Sequence, residues 1–484
     1  MHYRIYKTAL QDCQLILRKL NSVAPSKFER LWIRGIVEDI KVRLSESEST
    51  KASNLETLIA LMEKIIRDLE GASSSALTQD IQKLIQLLES SVQVKIRIDL
   101  LFARPVSATY LLLVYNQLRK YEFVDVRIVA ADYHPTNIYQ SSGQYDQLIK
   151  QLNAAKVPYI SHKDYDVFRD LPDLFFYSFH NHAFMKPLHL QHSTLTPIIK
   201  RTMFLEYSFT PTDLLIYDSN YSITPHTWLQ FRSSRFSYNT ISWGVQDVVT
   251  GHPLMDLSYR VYSGETSLSI TDQWKNKATG KRVMLWNLAP VLNPDTSINP
   301  VLTKAKILET LSLAREICER NFPILILLRP HPLCLMPEYQ SCYDVLHEQI
   351  LLDQNPDSYP ALSFADAFIG DYGSLYSQFL PSERPALIFH VPPTECNFVF
   401  WSQTNIATDR NDVFHFAEML TNDYSSAMRP VTDIDRYCLG PMDGNNSRRI
   451  ADSLLDKFRK EEYSFMIKHC HNIADGVSEM EPLP

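Results

Sequence analysis

Between residues 1 and 90 the apolar positions recur every third or fourth residue, as in Leu15, Leu17 and Leu20 and again in Leu58, Leu61, Ile65, Ile66 and Leu69. That spacing draws one apolar stripe along a helix and predicts a run of amphipathic helices. Ser-rich stretches at 45–50 and 73–75 predict loops between them. At residue 92 the period changes to two: Val92, Val94, Ile96, Ile98 and Leu100 alternate with polar residues, the signature of a strand. A helix through 111–118, capped by Ser107, and a strand at 123–129 complete a strand–helix–strand unit, the opening of a parallel sheet. Further strands are expected at 157–161, 173–178, 213–217 and 238–242.

The second half repeats the alternation. Strands are expected at 282–286, 324–328, 367–370 and 386–389, and a long helix at 301–320 with Lys and Glu on its solvent face. Shorter helices fall near 338–350, 374–380, 411–420 and 447–460. The stretch 324–328 is apolar on both faces, as a buried parallel strand must be. The pattern predicts a helical region at 1–90 and two Rossmann-like α/β domains, 91–260 and 261–484, facing each other across a cleft.

Composition narrows the function. The 484 residues are 45% apolar and 21% charged, ordinary for a globular chain with a large core. A net charge of −7 argues against a nucleic-acid partner, which needs a broad basic face. No run reaches the roughly 18 apolar residues of a spanning helix, and the start at Met1 is too polar for a secretory signal. The seven cysteines form no CxxC pair and no zinc-ligand spacing, so reduced thiols are expected. These features together predict a cytoplasmic protein. Residues 1–43 carry nine Lys/Arg against four Asp/Glu. Two readings follow: an edge resting on the inner face of an anionic membrane, or helices that pack on the body or mediate self-association.

In parallel α/β sheets ligands bind beyond the carboxyl ends of the strands, and three segments stand there. The first is Arg329-Pro-His-Pro332, where prolines stiffen the loop. Arg329 and His331 read as a diphosphate clamp, His331 also as a proton shuttle, or the segment is a rigid turn with a backbone-capped histidine. The second is the turn Asp371-Tyr372-Gly373-Ser374 after strand 367–370. The amides of Gly373, Ser374 and Leu375 would offer an anion site at a helix start; otherwise Asp371 and Ser374 are plain caps. The third, Ser242 to Pro253, offers Asp247 and His252 as proton acceptors for an incoming hydroxyl, or a solvated turn. His180 and His182 read as loop histidines, because no carboxylate stands at metal-ligand spacing from them. No Gly-x-Ser-x-Gly elbow occurs and no Asp-x-Asp metal pair directly follows an expected strand, so a nucleophilic serine is not expected and no cofactor is required.

Taken together, Arg329-Pro-His-Pro332 followed by Ala365-Asp-Ala-Phe-Ile-Gly-Asp-Tyr-Gly-Ser374 resembles the CDP-glycerol glycerophosphotransferase family, the teichoic-acid and capsule polymerases. The resemblance covers about 240–460. It implies a GT-B fold, a nucleotide-activated donor and transfer to a hydroxyl of a polymer or lipid-linked acceptor. It would make His331 a catalytic or phosphate-contacting residue, and Asp371, Tyr372, Gly373 and Ser374 the phosphate turn. Asp443-Gly444, before the last helix, is similar to an Asp-Gly of the family; the resemblance implies that it reaches the nucleotide-activated donor, and otherwise it only starts that helix. Gly373 replaces a family serine, and Trp243-Gly-Val-Gln stands where the family has Trp-His-Gly-Thr. Asp247 or His252 would then take the base's place, or the donor differs. A nucleotide-sugar glycosyltransferase is the second expectation, and a non-catalytic nucleotide-binding homologue the third.

Overall fold

In the computed structural model the described residues are 2–22, 25–45, 52–132, 144–177, 187–205, 227–235, 247–266, 268–293, 298–355, 357–371, 373–389, 405–470 and 473. The expected strands at 213–217 and 238–242, together with His180, His182, Trp243 and Tyr372, lie outside them.

Four helices open the chain: α1 (Tyr3–Ser22), α2 (Lys27–Ser45), α3 (Ala52–Asp68) and α4 (Ser74–Ser91). Helix α4 starts where the Ser-rich stretch predicts, with Ser73 as its N-cap accepting the Ala76 amide. Helix α1 packs on α4, α4 on α3 and α3 on α2.

The first sheet contains β1 (Ile96–Phe102), β2 (Val124–Ala130), β3 (Ile160–Ser161), β4 (Leu174–Tyr177), β5 (Thr202–Leu205), β6 (Leu229–Arg232) and β7 (Asp247–Val249). Their order is β3-β2-β1-β4-β5-β6-β7, and every pairing is parallel. Helix α5 (Pro105–Leu118) links β1 to β2. Its N-cap is Arg104 with Pro105 in the first turn, while Ser107 donates back to the Arg104 carbonyl at 2.8 Å. The expected Ser107 cap is therefore corrected: a proline at the first helical position sets the start. Helix α6 (Pro253–Tyr262) follows β7, so the boundary drawn at 260/261 runs through a helix.

The second sheet is β10-β9-β8-β11-β12, again all parallel, built from β8 (Arg282–Leu288), β9 (Ile324–Pro330), β10 (Ile350–Leu352), β11 (Ala367–Gly370) and β12 (Ala386–Ile388). Helix α7 (Pro300–Glu319) links β8 to β9, and α8 (Ser374–Phe379) follows β11. Residues 337–343 form a 3-10 helix rather than the α-helix expected near 338–350. Both faces of this sheet are covered: Val283, Leu285, Leu325 and Leu327 enter one apolar core, and Met284, Trp286, Ile326 and Leu328 the other. The first of these cores also contains the N-terminal helices and one face of the first sheet, so the two domains share buried material.

Helix α9 (Asn446–His469) makes that sharing explicit. It begins beside α6, where Asp256 accepts the amides of Asn446 at 2.7 Å and Ser447 at 2.6 Å. It then runs back along α5 to the N-terminal helices. Near its end Glu462 accepts from the Tyr3 hydroxyl at 2.6 Å and pairs with Lys7 at 2.5 Å and Arg201 at 2.6 Å. Although drawn as part of 261–484, this helix packs on the first domain. Among the described residues no helix is long and apolar enough to cross a membrane.

Candidate functional site

The site is organised around the exit of β8, the central strand of the second sheet. Two aspartates flanking β11 hold that strand at both ends. Asp366 accepts the Val283 amide at 2.8 Å where β8 begins, and Asp371 accepts the Ala289 amide at 2.6 Å where it ends. Gly370, between them, has φ +136°, and a Cβ there would meet the Asn287 carbonyl oxygen at 2.0 Å. Only glycine lets β11 pass so close to β8 and turn beneath its exit. Lys306 of α7 reaches the same carboxylate, its Nζ 2.5 Å from Asp371 Oδ1. Burial pushes the Asp371 carboxyl up, and the ammonium pulls it back toward the charged form.

On the other side of β8 the His331 amide donates to the Leu288 carbonyl at 2.7 Å, so the His331 loop and the Asp371 turn attach to consecutive residues, Leu288 and Ala289. The His331 ring starts a 3-10 turn: Nδ1 accepts the Leu333 amide at 3.2 Å. A nitrogen that accepts an amide proton is unprotonated, which assigns the neutral ring's proton to Nε2. Burial, and then the Arg104 guanidinium, lower the His331 pKa to about 4. The half-buried ring is therefore neutral at pH 7 and presents one N–H donor.

Arg104 stands at the exit of β1, in the first domain, and its charge acts on the imidazole of the second. Sequence reasoning passed over it. The strand-exit rule that singled out Arg329-Pro330 applies equally to Arg104-Pro105, which starts two residues beyond the end of β1. Lys306 was missed for another reason. It sits on a helix read as solvent-facing, yet its side chain is only 13% exposed because it turns inward to Asp371.

The remaining expected residues are placed as follows. Arg329 ion-pairs with Asp353 and donates to the Asn355 carbonyl at 2.8 Å, which ties β9 to the loop after β10. Gly373 is the N-cap of α8 in extended conformation, without a side-chain cap, and Ser374 is exposed at the helix start. Neither Asp371 nor Ser374 caps that helix, since the Asp371 carboxylate is spent on Ala289 and Lys306. Asp247 lies in β7 and pairs with Arg232 of β6 at 3.3 Å, both side chains nearly inaccessible, so it is not a solvated turn. His252 is fully buried at the start of α6; Nδ1 accepts the Leu254 amide at 3.2 Å and the ring packs edge-on to Tyr110 at 4.9 Å. Asp443 accepts the Asn445 amide at 3.1 Å and pairs with Arg449, while Gly444, at φ +75°, packs against the Tyr259 ring. The structure thus brings His331, Asp371, Gly373 and Ser374 around one strand exit. It gives Arg329, Asp247, His252 and Asp443 partners elsewhere.

No family model matches this chain, and no curated protein matches it by sequence. Solved structures do. One from Listeria monocytogenes, assigned as a UDP-N-acetylglucosamine 2-epimerase, is 13% identical and aligns over 76% of this chain and 97% of its own, with a TM-score of 0.55. The UDP-GlcNAc 2-epimerase from Neisseria meningitidis, bound to UDP-GlcNAc, is 12% identical over 75% of this chain and 100% of its own, with a TM-score of 0.53. The wall teichoic acid polymerase TagF is 14% identical over 84% and 98%, with a TM-score of 0.47. Identities this low speak to architecture alone, and on that point the epimerase likenesses agree with the two parallel sheets: the chain has the GT-B fold, preceded by an N-terminal helical region.

Proposed function

We propose that the protein is a GT-B transferase that takes a glycerophosphate-type unit from a nucleotide-activated donor, CDP-glycerol favoured, and passes it to a hydroxyl of a cell-surface polymer or lipid-linked acceptor. The observation that carries this reading is the convergence of the His331 loop and the Asp371 turn, braced by Lys306, on consecutive residues at the exit of β8, with the Arg104 guanidinium acting on the neutral imidazole. Arg104 supplies a permanent charge, and the His331 Nε2–H one hydrogen bond, to the donor's diphosphate. Exposed Ser374, at the start of α8, is within the same turn and adds a hydroxyl. Fixed donors of this kind stabilise charge that builds on a leaving group. In the transfer the acceptor oxygen attacks the phosphorus bearing glycerol, the bond to the bridging oxygen breaks, and cytidine monophosphate leaves.

His331 holds its proton on Nε2 and is a donor in this scheme. The acceptor's proton must go elsewhere, and Asp247 and His252 remain the proposed acceptors for it. Both would have to be released from their present partners. A second reading, a glycosyltransferase using a nucleotide sugar, is favoured by Trp243-Gly-Val-Gln in place of the family's Trp-His-Gly-Thr. The epimerase likeness, one structure of which contains UDP-GlcNAc, supports a nucleotide diphosphate in either case. Incubation with CDP-glycerol and, separately, with common nucleotide sugars tests the choice. Release of cytidine monophosphate from CDP-glycerol alone is expected, and release only from a nucleotide sugar would replace the first reading by the second. His331→Ala should lower turnover at least about 100-fold.

A further inference from the structure

We propose that the tip of the α1–α2 hairpin docks on an anionic membrane surface. Helix α1 is hydrogen-bonded to the rest of the molecule through Tyr3, Arg4, Tyr6 and Lys7, all in its first two turns. Its other end, about 30 Å along the axis at 1.5 Å per residue, meets the start of α2. Cations gather there: Arg18 and Lys19 end α1, and Lys27, Arg30 and Arg34 begin α2, against the acids Glu29 and Glu70, the latter 3.6 Å from Arg34. Lys27, Arg30, Leu31 and Arg34 fall on one face of α2 by their spacing. Phe28 is 79% exposed and Leu31 55% exposed on that end, while the exposed acids Glu38 and Asp39 begin only in the fourth turn.

The start of α2 is a formed surface. Arg30 donates to the Leu69 carbonyl at the end of α3 and to the Pro25 carbonyl at 3.3 Å, which pins the hairpin to its neighbour. Between them lies a groove of about 400 Å³ lined by Lys27, Arg30, Leu31, Arg34, Leu69 and Glu70. Exposed apolar side chains among cations suit an interface in which the cations meet lipid phosphates and the apolar groups enter the headgroup layer. Charge argues for this occupant over a second copy. A two-fold contact would set the same cations against themselves, whereas five cations at this end of a chain that carries −7 overall suit an anionic sheet.

Vesicle flotation tests the proposal independently of the catalytic reading, because none of these residues belongs to the site. The full chain should float with phosphatidylglycerol–phosphatidylcholine vesicles and not with phosphatidylcholine alone, and about 0.5 M salt should release it. Lys27→Glu/Arg34→Glu and Phe28→Ser/Leu31→Ser should each cut the floated fraction at least fivefold with unchanged melting. Arg18→Glu/Lys19→Glu serves if either pair fails to fold. Equal partition to both vesicle types, or full flotation of the variants, would overturn the proposal. So would a concentration-dependent dimer that the same variants abolish.

Discussion

Lys306 Nζ lies 2.5 Å from Asp371 Oδ1, and the other oxygen of that carboxylate accepts the Ala289 amide at 2.6 Å. One buried acid thus joins α7, the exit of β8 and the turn after β11. An ion pair out of water depends on both members, because removing one leaves the other charged and unsolvated. Lys306→Met should therefore cost about 3 kcal/mol or more in denaturant unfolding. Adding Asp371→Asn should restore part of the loss, which a double-mutant cycle measures directly.

Arg104 is expected to be a binding residue. Arg104→Ala should leave the fold intact and weaken nucleotide diphosphate binding. A charge-assisted hydrogen bond is worth about 1.5–3 kcal/mol, or roughly 10- to 150-fold in Kd. The reduced thermal stabilisation by CDP or UDP at fixed concentration reads this out. An unchanged nucleotide response would remove Arg104 from the site.

The folded-state pKa of His331, about 4, lies below the ordinary value of 6.5. Between these values the unfolded chain binds the proton that the folded chain refuses. His331 therefore favours folding fully above pH 6.5, and that contribution is lost as pH falls toward 4. A shift of this size corresponds to at most about 3 kcal/mol. His331→Asn keeps an acceptor for the Leu333 amide and has no proton to bind. Its unfolding free energy should fall less steeply than that of the unsubstituted chain between pH 6.5 and 4.

Gly370→Ala tests the close approach of β11 to β8. The added methyl would overlap the Asn287 carbonyl, and the positive φ is strained for any L side chain. A loss of at least about 3 kcal/mol is expected, together with a collapsed nucleotide response. Gly373, in extended backbone with open space at its Cβ, should accept alanine at little cost.

Glu462→Ala should strand Lys7, leave Arg201 with Glu461 as its remaining acid, and loosen α1 from α9. A cost of about 3–5 kcal/mol follows for a buried network that loses its shared acid. Faster proteolysis within residues 1–45 would mark the release of the N-terminal helices.

The sequence by itself determined the alternating elements and the places where chemistry could sit. Periods of three to four and of two are local properties, so α1 to α4, β1, β8, β9 and β11 are legible in hydrophobic spacing, and the strand-exit rule leads to His331 and to the turn at 371–374. What each polar side chain does at those places is a matter of partners distant in the chain. Arg329 turns to Asp353, Asp247 to Arg232, and His252 into the interface with Tyr110; Lys306 leaves the solvent face for Asp371. Arg104 and His331 are 227 positions apart, and the charge of one reaches the other only because each strand exit is placed by the folding of its own sheet. Which acids and bases are neutralised, and which remain to meet a ligand, depends on burial and on charges a few ångströms away, and those distances exist only once the chain is folded.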